Sequence, residues 1–348
     1  MIKIADALRC IWILLLFLIT IPSVIGQTVD PELLRLRHQL AVNYLEPWAH
    51  MALAKYFWQK GDRLQAFYLS EYARRDRFSD AQFMPAFQKA FGGNANVLQN
   101  KRGEAAFKKA IELQDAGDLK QAEQAFVQAA ELSPNSVTIQ TWVGRFFFKV
   151  RKDDERALPY YLNAYFLDPH AYETEFVESR IRTINWDAAT LRYRQLARRD
   201  TPLQEIMRDA NPTVAVVAIE TLQSDAWRPE YLKAFLDCMN HDDETIRWQA
   251  TLTIQNHVDR SFDETLKGLL QSSDLRVQGL AAYIAIHLWK QQSFDLMRRM
   301  LREDAQLLRF DAISALTREG GTEGRRILLA HRRIEKHPML RNMIDSDQ

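Results

Sequence analysis

The C-terminal half of the chain repeats one short hydrophobic pattern four times. In each copy an alanine follows an aliphatic residue by four positions, and the pairs are Val214 and Ala218, Ile246 and Ala250, Val277 and Ala281, and Leu308 and Ala312. The successive pairs are spaced 32, 31 and 31 residues apart. A separation of four residues places both side chains on one face of an α-helix. The pattern predicts helix pairs in which the aliphatic residue packs inward and the alanine lets two helices approach closely.

Polar residues predict where these helices begin. Asn211, Asp243, Asp274 and Asp304 precede the four aliphatic residues, and Asp and Asn are preferred at helix N-caps. The second helices of the pairs are predicted at Tyr231–Asn240, Phe262–Gln271, Phe294–Leu301 and Glu323–His331. Residues 186–208 resemble a degenerate leading unit, but their spacing of 23 residues to Val214 differs from that of the repeat, and we interpret them as a transition or cap.

The N-terminal half has a different pattern, built on alanines and glycine–aspartate turns. One unit contains Ala110, Gly117, Asp118, Ala122, Phe126, Ala129 and Pro134. The next unit ends at Pro169, 35 residues after Pro134, and its extra residue is predicted in the turn at residues 151–155. An earlier unit has its turn at Gly61 and Asp62, and an additional helix is predicted near residues 81–91.

These two patterns resemble two families of helical repeat. Residues 46–170 resemble tetratricopeptide repeats, and residues 186–334 resemble short HEAT-like repeats, a type also found in phycobilin lyases. The resemblance implies an all-α fold, a right-handed helical-repeat superhelix (α-solenoid). Residues 27–184 would form tetratricopeptide-like hairpins with one extra helix, and residues 185–348 HEAT-like hairpins with a C-terminal cap. Residues 171–184 are predicted to connect the two halves.

The first 26 residues have the features of a secretory signal peptide. Lys3 and Arg9 precede an apolar run over residues 10–21, and small residues before Gln27 suit cleavage after Gly26. The run is shorter than the roughly 20 residues that span a bilayer. We expect a periplasmic or secreted protein; the alternative is an uncleaved signal anchor with the body of the protein outside the cytoplasm.

Composition narrows the function classes. Glycine (12 residues) and proline (11) are scarce, which argues against sandwiches, barrels and glycine-rich phosphate loops. The formal net charge of +1 gives no sign of nucleic-acid binding. No histidine pair has metalloprotease spacing, and no motif for a nucleophile elbow or a phosphate loop occurs. We therefore expect no catalytic residues, no metal and no cofactor, and we interpret Cys238 as a small buried residue.

The N-terminal repeats are rich in aromatic residues, some of which fall where tetratricopeptide grooves are lined. The resemblance places ten residues there: Trp48, Met51, Lys55, Trp58, Phe107, Ile111, Thr141, Arg145, Phe148 and Lys149. Aromatic and cationic side chains on such a surface suit an extended peptide or a helix of a partner protein. The alternative is that these aromatics are core, covered by the extra helix.

The C-terminal region is basic. Arg325, Arg326, Arg332 and Arg333 form a candidate contact for an anionic partner or for lipid headgroups at a membrane surface. The alternative is a solvated outer face of the last repeat. The sequence predicts a non-enzymatic protein-interaction adaptor or scaffold in the bacterial cell envelope. The alternative function is a lyase-like or chaperone-like accessory protein that handles a chromophore or cofactor.

Overall fold

The protein is helical throughout the part that the structure describes. The structure is a computed structural model that describes residues 30–92, 101–170, 172–223, 228 and 230–346. Within these ranges the regular elements are helices, with no strand, which confirms the predicted all-α class. The predicted signal peptide lies outside the described residues.

The helices follow one another with short connections. The N-terminal helices are α1 (Pro31–Val42), α2 (Pro47–Gln59), α3 (Arg63–Asp76), α4 (Asp80–Phe91), α5 (Lys101–Asp115), α6 (Leu119–Leu132), α7 (Val137–Arg145), α8 (Asp154–Leu167) and α9 (Tyr172–Arg198). The C-terminal helices are α10 (Leu203–Ile206), α11 (Pro212–Gln223), α12 (Tyr231–Cys238), α13 (Glu244–His257), α14 (Asp263–Leu270), α15 (Leu275–Trp289), α16 (Phe294–Met300), α17 (Gln306–Glu319), α18 (Gly321–Arg332) and α19 (Pro338–Asp345). None of the described helices is both long enough and apolar enough to cross a bilayer.

The second helices of three N-terminal pairs begin in the same way. Their capping residues are Asp62, Asp118 and Asp153, whose carboxylates accept from the amide three residues later. The residue before each aspartate has a left-handed backbone: Gly61 (φ 85°), Gly117 (φ 80°) and Lys152 (φ 55°). The first two turns are the predicted glycine–aspartate turns.

The extra residue of the third unit is accommodated in a π-helical turn. Phe146–Arg151 continues α7 as a π-helix, which inserts residues without ending the helix. Just before it, Gly144 lies against the ring of Tyr161, where a Cβ would stand 2.8 Å from ring carbons. The insertion was predicted a few residues later, in the turn.

The C-terminal helix pairs place the repeated residues in the core. All four aliphatic residues and all four alanines of the repeat are buried. Asn211, Asp243 and Asp274 accept hydrogen bonds from first-turn amides, as predicted. The prediction for Asp304 was wrong, because α17 is capped at Ala305 without a side-chain bond and Asp304 instead accepts from Arg309 through its carbonyl.

The described residues form three hydrophobic clusters. One contains buried residues between Met51 and Ile184, and a second contains buried residues between Ala189 and Ala285. The predicted division at residues 184 and 185 falls inside the 27-residue helix α9, which contributes to both clusters. The third cluster combines buried residues within 36–69 with buried residues within 282–344, so α1 packs against α15 and α17. The first and last described helices therefore share one core.

Candidate functional site

N-terminal residues meet the start of α13 around the carboxylate of Glu244, the first residue of this helix. Its Oε1 accepts hydrogen bonds from the hydroxyls of Tyr44 and Tyr72 and from Nη2 of Arg77, the last at 2.9 Å. Burial alone would raise the pKa of Glu244, but Arg77 and Arg247 hold it below its ordinary value. The ionised carboxylate ties the N-terminal helices to the start of α13.

A second ion pair joins the same two regions. Arg37 of α1 donates from Nε and Nη2 to the two carboxylate oxygens of Asp242, both at 2.7 Å. Asp242 also accepts from Nη1 of Arg276 at 3.0 Å. Burial alone would raise the pKa of Asp242, but Arg37 and Arg276 keep it below its ordinary value. The junction is thus a bidentate, partly buried contact between residues far apart in sequence.

A cavity of about 500 Å³ lies beside this junction. Its walls come from α3, α13, α15, α17 and α19. The apolar lining residues are Trp248, Leu280, Tyr283, Phe310, Ile313 and Met343. The polar lining residues are Tyr72, Arg77, Glu244, Thr245, Asp311, Ser314, Thr317, Arg318 and Ser346. Its size is typical of small-molecule sites, and its walls combine aromatic and aliphatic surface with polar side chains.

Asp311 lies on the buried side of this cavity. The residue is 5% exposed, and its carboxyl has no hydrogen-bond partner among the described residues. Burial, and then the charge of Glu244, raises the pKa of Asp311 well above its ordinary value. The raised pKa favours the neutral form of this carboxyl, which can both donate and accept a hydrogen bond.

Glycine at position 279 makes room for this carboxyl. A Cβ on Gly279 of α15 would stand 1.9 Å from Oδ2 of Asp311. The equivalent positions of the neighbouring repeats carry Trp248 and Phe310, which form walls of the cavity. The absent side chain at position 279 therefore lets a polar group enter the apolar interior.

At the mouth of the cavity lies an exposed cation. The guanidinium of Arg318 is 5.1 Å from the ring centroid of Trp248. No carboxylate among the described residues forms an ion pair with Arg318. Arg77, by contrast, is bonded to Glu244 and lies 4.2 Å from the ring centroid of Phe310. Within the described lining, Arg318 is the cation whose charge is not matched.

The hydrophobic pattern alone did not indicate these cavity residues, although the sequence contains one signal for them. Three residues after the aliphatic position, the four repeats carry Val217, Gln249, Leu280 and Asp311. An aspartate at a position that is otherwise apolar or amide indicates a polar group inside the core. The contributions of Tyr72 and Arg77 depend on contacts between the chain ends, which no local pattern reveals.

The structure distributes the ten predicted groove residues among different surroundings. Trp48 is 39% exposed, whereas Met51 (1%) and Thr141 (8%) are buried and present no accessible side chain. The half-buried residues are Lys55, Trp58, Phe107, Ile111 and Phe148, and the exposed ones are Arg145 and Lys149. Arg145 lies 5.1 Å from the ring centroid of Trp142, and Arg180 lies 4.8 Å from that of Phe148.

Two of the predicted residues, Lys55 and Trp58, line one groove. It has a volume of about 490 Å³ and is otherwise lined by Gln59, Arg63, Ala90, Phe91, Pro134, Asn135, Asn163, Phe166 and Leu167. The ring of Trp58 is 4.3 Å from that of Phe166 and 6.3 Å from that of Phe91 on the extra helix. We call this set of residues the N-terminal groove. The extra helix covers part of Trp58 and leaves the groove beside it.

The predicted basic contact lies on the surface near the C-terminus. Arg325, Arg326, Arg332 and Arg333 are all exposed. Arg326 forms a bidentate pair with Glu323 at 2.8 Å, and Arg332 pairs with Asp345. The charges of Arg326 and Arg332 are thus matched within the chain.

The described residues contain no evident site for metal binding or for thiol chemistry. No group of three or more His, Cys, Asp or Glu side chains there is arranged to hold a metal ion. Cys238 is 3% exposed, and burial raises the pKa of its thiol to about 12. Comparison with family models, with curated proteins and with solved structures gave no match to this chain.

Proposed function

We propose that the protein is a non-enzymatic protein-interaction scaffold of the bacterial cell envelope. It would be built from tetratricopeptide-like hairpins over residues 46–170 and HEAT-like hairpins over residues 186–334. The helix pairs and their buried alanines support the repeat assignment. The observation that carries the function is the N-terminal groove, an aromatic surface with two cations.

The chemistry of the N-terminal groove defines the partner. Lys55 and Arg63 contribute positive charge, and no carboxylate is among the described residues that line the groove. Trp58 and Phe166 provide an aromatic floor, and the guanidinium of Arg63 lies 4.8 Å from the ring centroid of Trp58. The fitting occupant is an extended segment of a partner protein that carries a carboxylate beside an apolar side chain.

Synthetic peptides test this proposal directly. Fluorescent peptides that pair Glu with Leu or Phe should bind the wild-type protein more tightly than versions with Lys in place of Glu. Lys55→Glu should reduce or reverse this preference, because it changes the charge of the groove without removing its floor. Lys120→Glu, an exposed change on α6 outside the groove, is the matched control. Equal binding of acidic and basic peptides by the wild type would refute the proposal.

Export is tested separately. Protein from the envelope fraction should begin at Gln27, as determined by N-terminal sequencing. Recovery of a chain that starts at Met1 in the cytosol would contradict the envelope assignment.

A further inference from the structure

The cavity between the chain ends has polar groups at two separated places. Asp311 and Arg318 both lie on α17, seven residues apart, and Ser314 lies between them. Side chains at these intervals share one helix face, and seven residues span about 10 Å along the axis. Asp311 is deep in the cavity and Arg318 is at its exposed mouth.

The charges of the lining favour a particular ligand. Glu244 is already satisfied by three donors, one of them Arg77, so this pair is neutral as a whole. Arg318 adds one positive charge that forms no ion pair with a carboxylate among the described residues. A cationic ligand would meet Arg77 and Arg318, whereas a single negative charge at the mouth would neutralise the lining.

The interior of the cavity suits different ligand groups from those that suit its mouth. Trp248, Tyr283 and Phe310 present apolar surface between the two polar groups. A buried carboxyl without a hydrogen bond costs free energy, and a ligand hydroxyl or carbonyl at that place would satisfy it. The ligand must therefore be apolar in the middle and polar at both ends.

We propose that this cavity binds a small monocarboxylate with an apolar body, whose carboxylate pairs with Arg318 and whose opposite end carries a hydroxyl group that bonds Asp311. Tyr283 and Phe310 contact the body of the ligand, and Gly279 keeps the space that Asp311 occupies. This site shares no residue with the N-terminal groove, so either proposal can fail alone.

Three related probes separate the parts of this recognition. 6-Hydroxy-2-naphthoate has both polar groups at opposite ends of a rigid ring system. 2-Naphthoate lacks the hydroxyl group, and 2-naphthol lacks the carboxylate. Titration of the full mature chain, followed by probe fluorescence or calorimetry, should give the tightest binding for the hydroxy acid.

Two substitutions should then act on different probes. Arg318→Gln should weaken both carboxylates about threefold or more and leave 2-naphthol unchanged, as expected for an exposed ion pair. Asp311→Leu should weaken the two hydroxylated probes about fivefold, the usual value of one hydrogen bond, and leave 2-naphthoate unchanged. Arg302→Gln, an exposed arginine outside the cavity, should change none of the affinities.

Two results of these titrations would overturn the proposal, and a second variant keeps it testable. If Asp311→Leu does not fold, Asp311→Ala removes the same carboxyl with less volume, and Arg318→Gln tests the mouth independently of the core. Absence of binding by the wild type to all three probes would overturn the proposal. Equal losses for all three probes in a folded variant would also overturn it, since a merely structural role predicts that result.

Discussion

Two arginines in different repeats form hydrogen bonds to the backbone that connects one helix pair to the next. Nη1 of Arg247 donates to the carbonyls of His241 and Asp242 at 2.7 and 2.8 Å. Nη1 of Arg309 donates to the carbonyls of Glu303 and Asp304 at 2.7 and 2.9 Å. In both repeats these carbonyls follow the end of a second helix, where backbone acceptors lack helical partners. Each arginine therefore closes the connection between one helix pair and the next.

Unlike these two arginines, Asp311 should lower the stability of the folded protein. Its folded pKa is raised, so above about pH 3.8 the unfolded chain loses a proton that the folded chain keeps, and stability falls as pH rises. Asp311→Asn cannot ionise in either state. It should therefore increase the free energy of unfolding at pH 7 relative to the wild type.

Urea denaturation of both proteins between pH 5 and pH 8 measures this effect. The gain from Asp311→Asn should grow with pH until the folded carboxyl ionises. A constant difference across the range would mean that Asp311 is ionised in the folded protein. A destabilising residue in a cavity is typical of a site kept for binding.

His50 on α2 should make the protein sensitive to acid. Burial lowers its pKa to about 4 from 6.5, and its Nε2 donates to the carbonyl of Tyr44 at 2.7 Å. Between these two pH values the unfolded chain binds a proton that the folded chain does not. Stability should therefore fall as pH decreases from 6.5 to 4, by up to about 3 kcal/mol.

Replacing His50 isolates this contribution. His50→Phe should flatten the pH dependence of urea unfolding in this range, whatever its effect on absolute stability. Part of the slope should remain, since burial also lowers the pKa of His241. His38→Phe, an exposed change on α1, is the matched control. An unchanged slope in His50→Phe would show that this histidine is not the source.

At the scale of helices, the hydrophobic periodicity of the sequence predicted most of the helices that form. The second helices of the C-terminal repeat begin and end within two residues of the predicted bounds. Helix α9 was not predicted as one element, because its polar and apolar residues follow no single face over 27 residues. The buried residues of α9 belong first to one hydrophobic cluster and then to the other. Its sequence therefore contains no continuous apolar stripe that would predict a single helix.

The alanines of the repeat give a prediction for the helix contacts. Ala281 of α15 is fully buried in the cluster that also contains Ala250. Ala281→Leu should overfill this contact and lower the free energy of unfolding by about 1–3 kcal/mol. Ala330→Leu, at an exposed position of α18, is the matched control and should change it little. Thermal unfolding with equal midpoints for the two variants would contradict the assigned contact.

At the scale of the whole molecule, the meeting of the chain ends was not predicted. A stack of repeats is expected to make contacts between neighbours only. Here Arg37 reaches Asp242, and the amide of Leu45 donates to Oε1 of Gln306 at 2.8 Å. Helix α1 is an ordinary amphipathic helix. Nothing in its sequence indicates which distant helix covers its apolar face.

A double-mutant cycle measures this connection. Arg37→Met and Asp242→Asn should each destabilise the protein, and together they should destabilise it by less than the sum. The coupling should be about 1–3 kcal/mol, because both side chains are mostly buried and the pair is bidentate. The exposed pair of Arg35 with Glu32 within α1 is the control, with an expected coupling below about 1 kcal/mol. Equal couplings for the two pairs would show that the junction contributes no more than a surface contact.

The shared core of the first and last described helices also affects how the protein can be made. Leu36 and Leu40 leave the ribosome early, but Leu308 and Leu316, in the same core cluster, are translated about 270 residues later. At ~5–20 residues per second this interval lasts about 15–50 s. Throughout that time α1 can pack against α2, but the part of its apolar face that contacts α15 and α17 must wait for these helices or be held by another protein. Helix α1 is therefore synthesised well before the helices that complete its core.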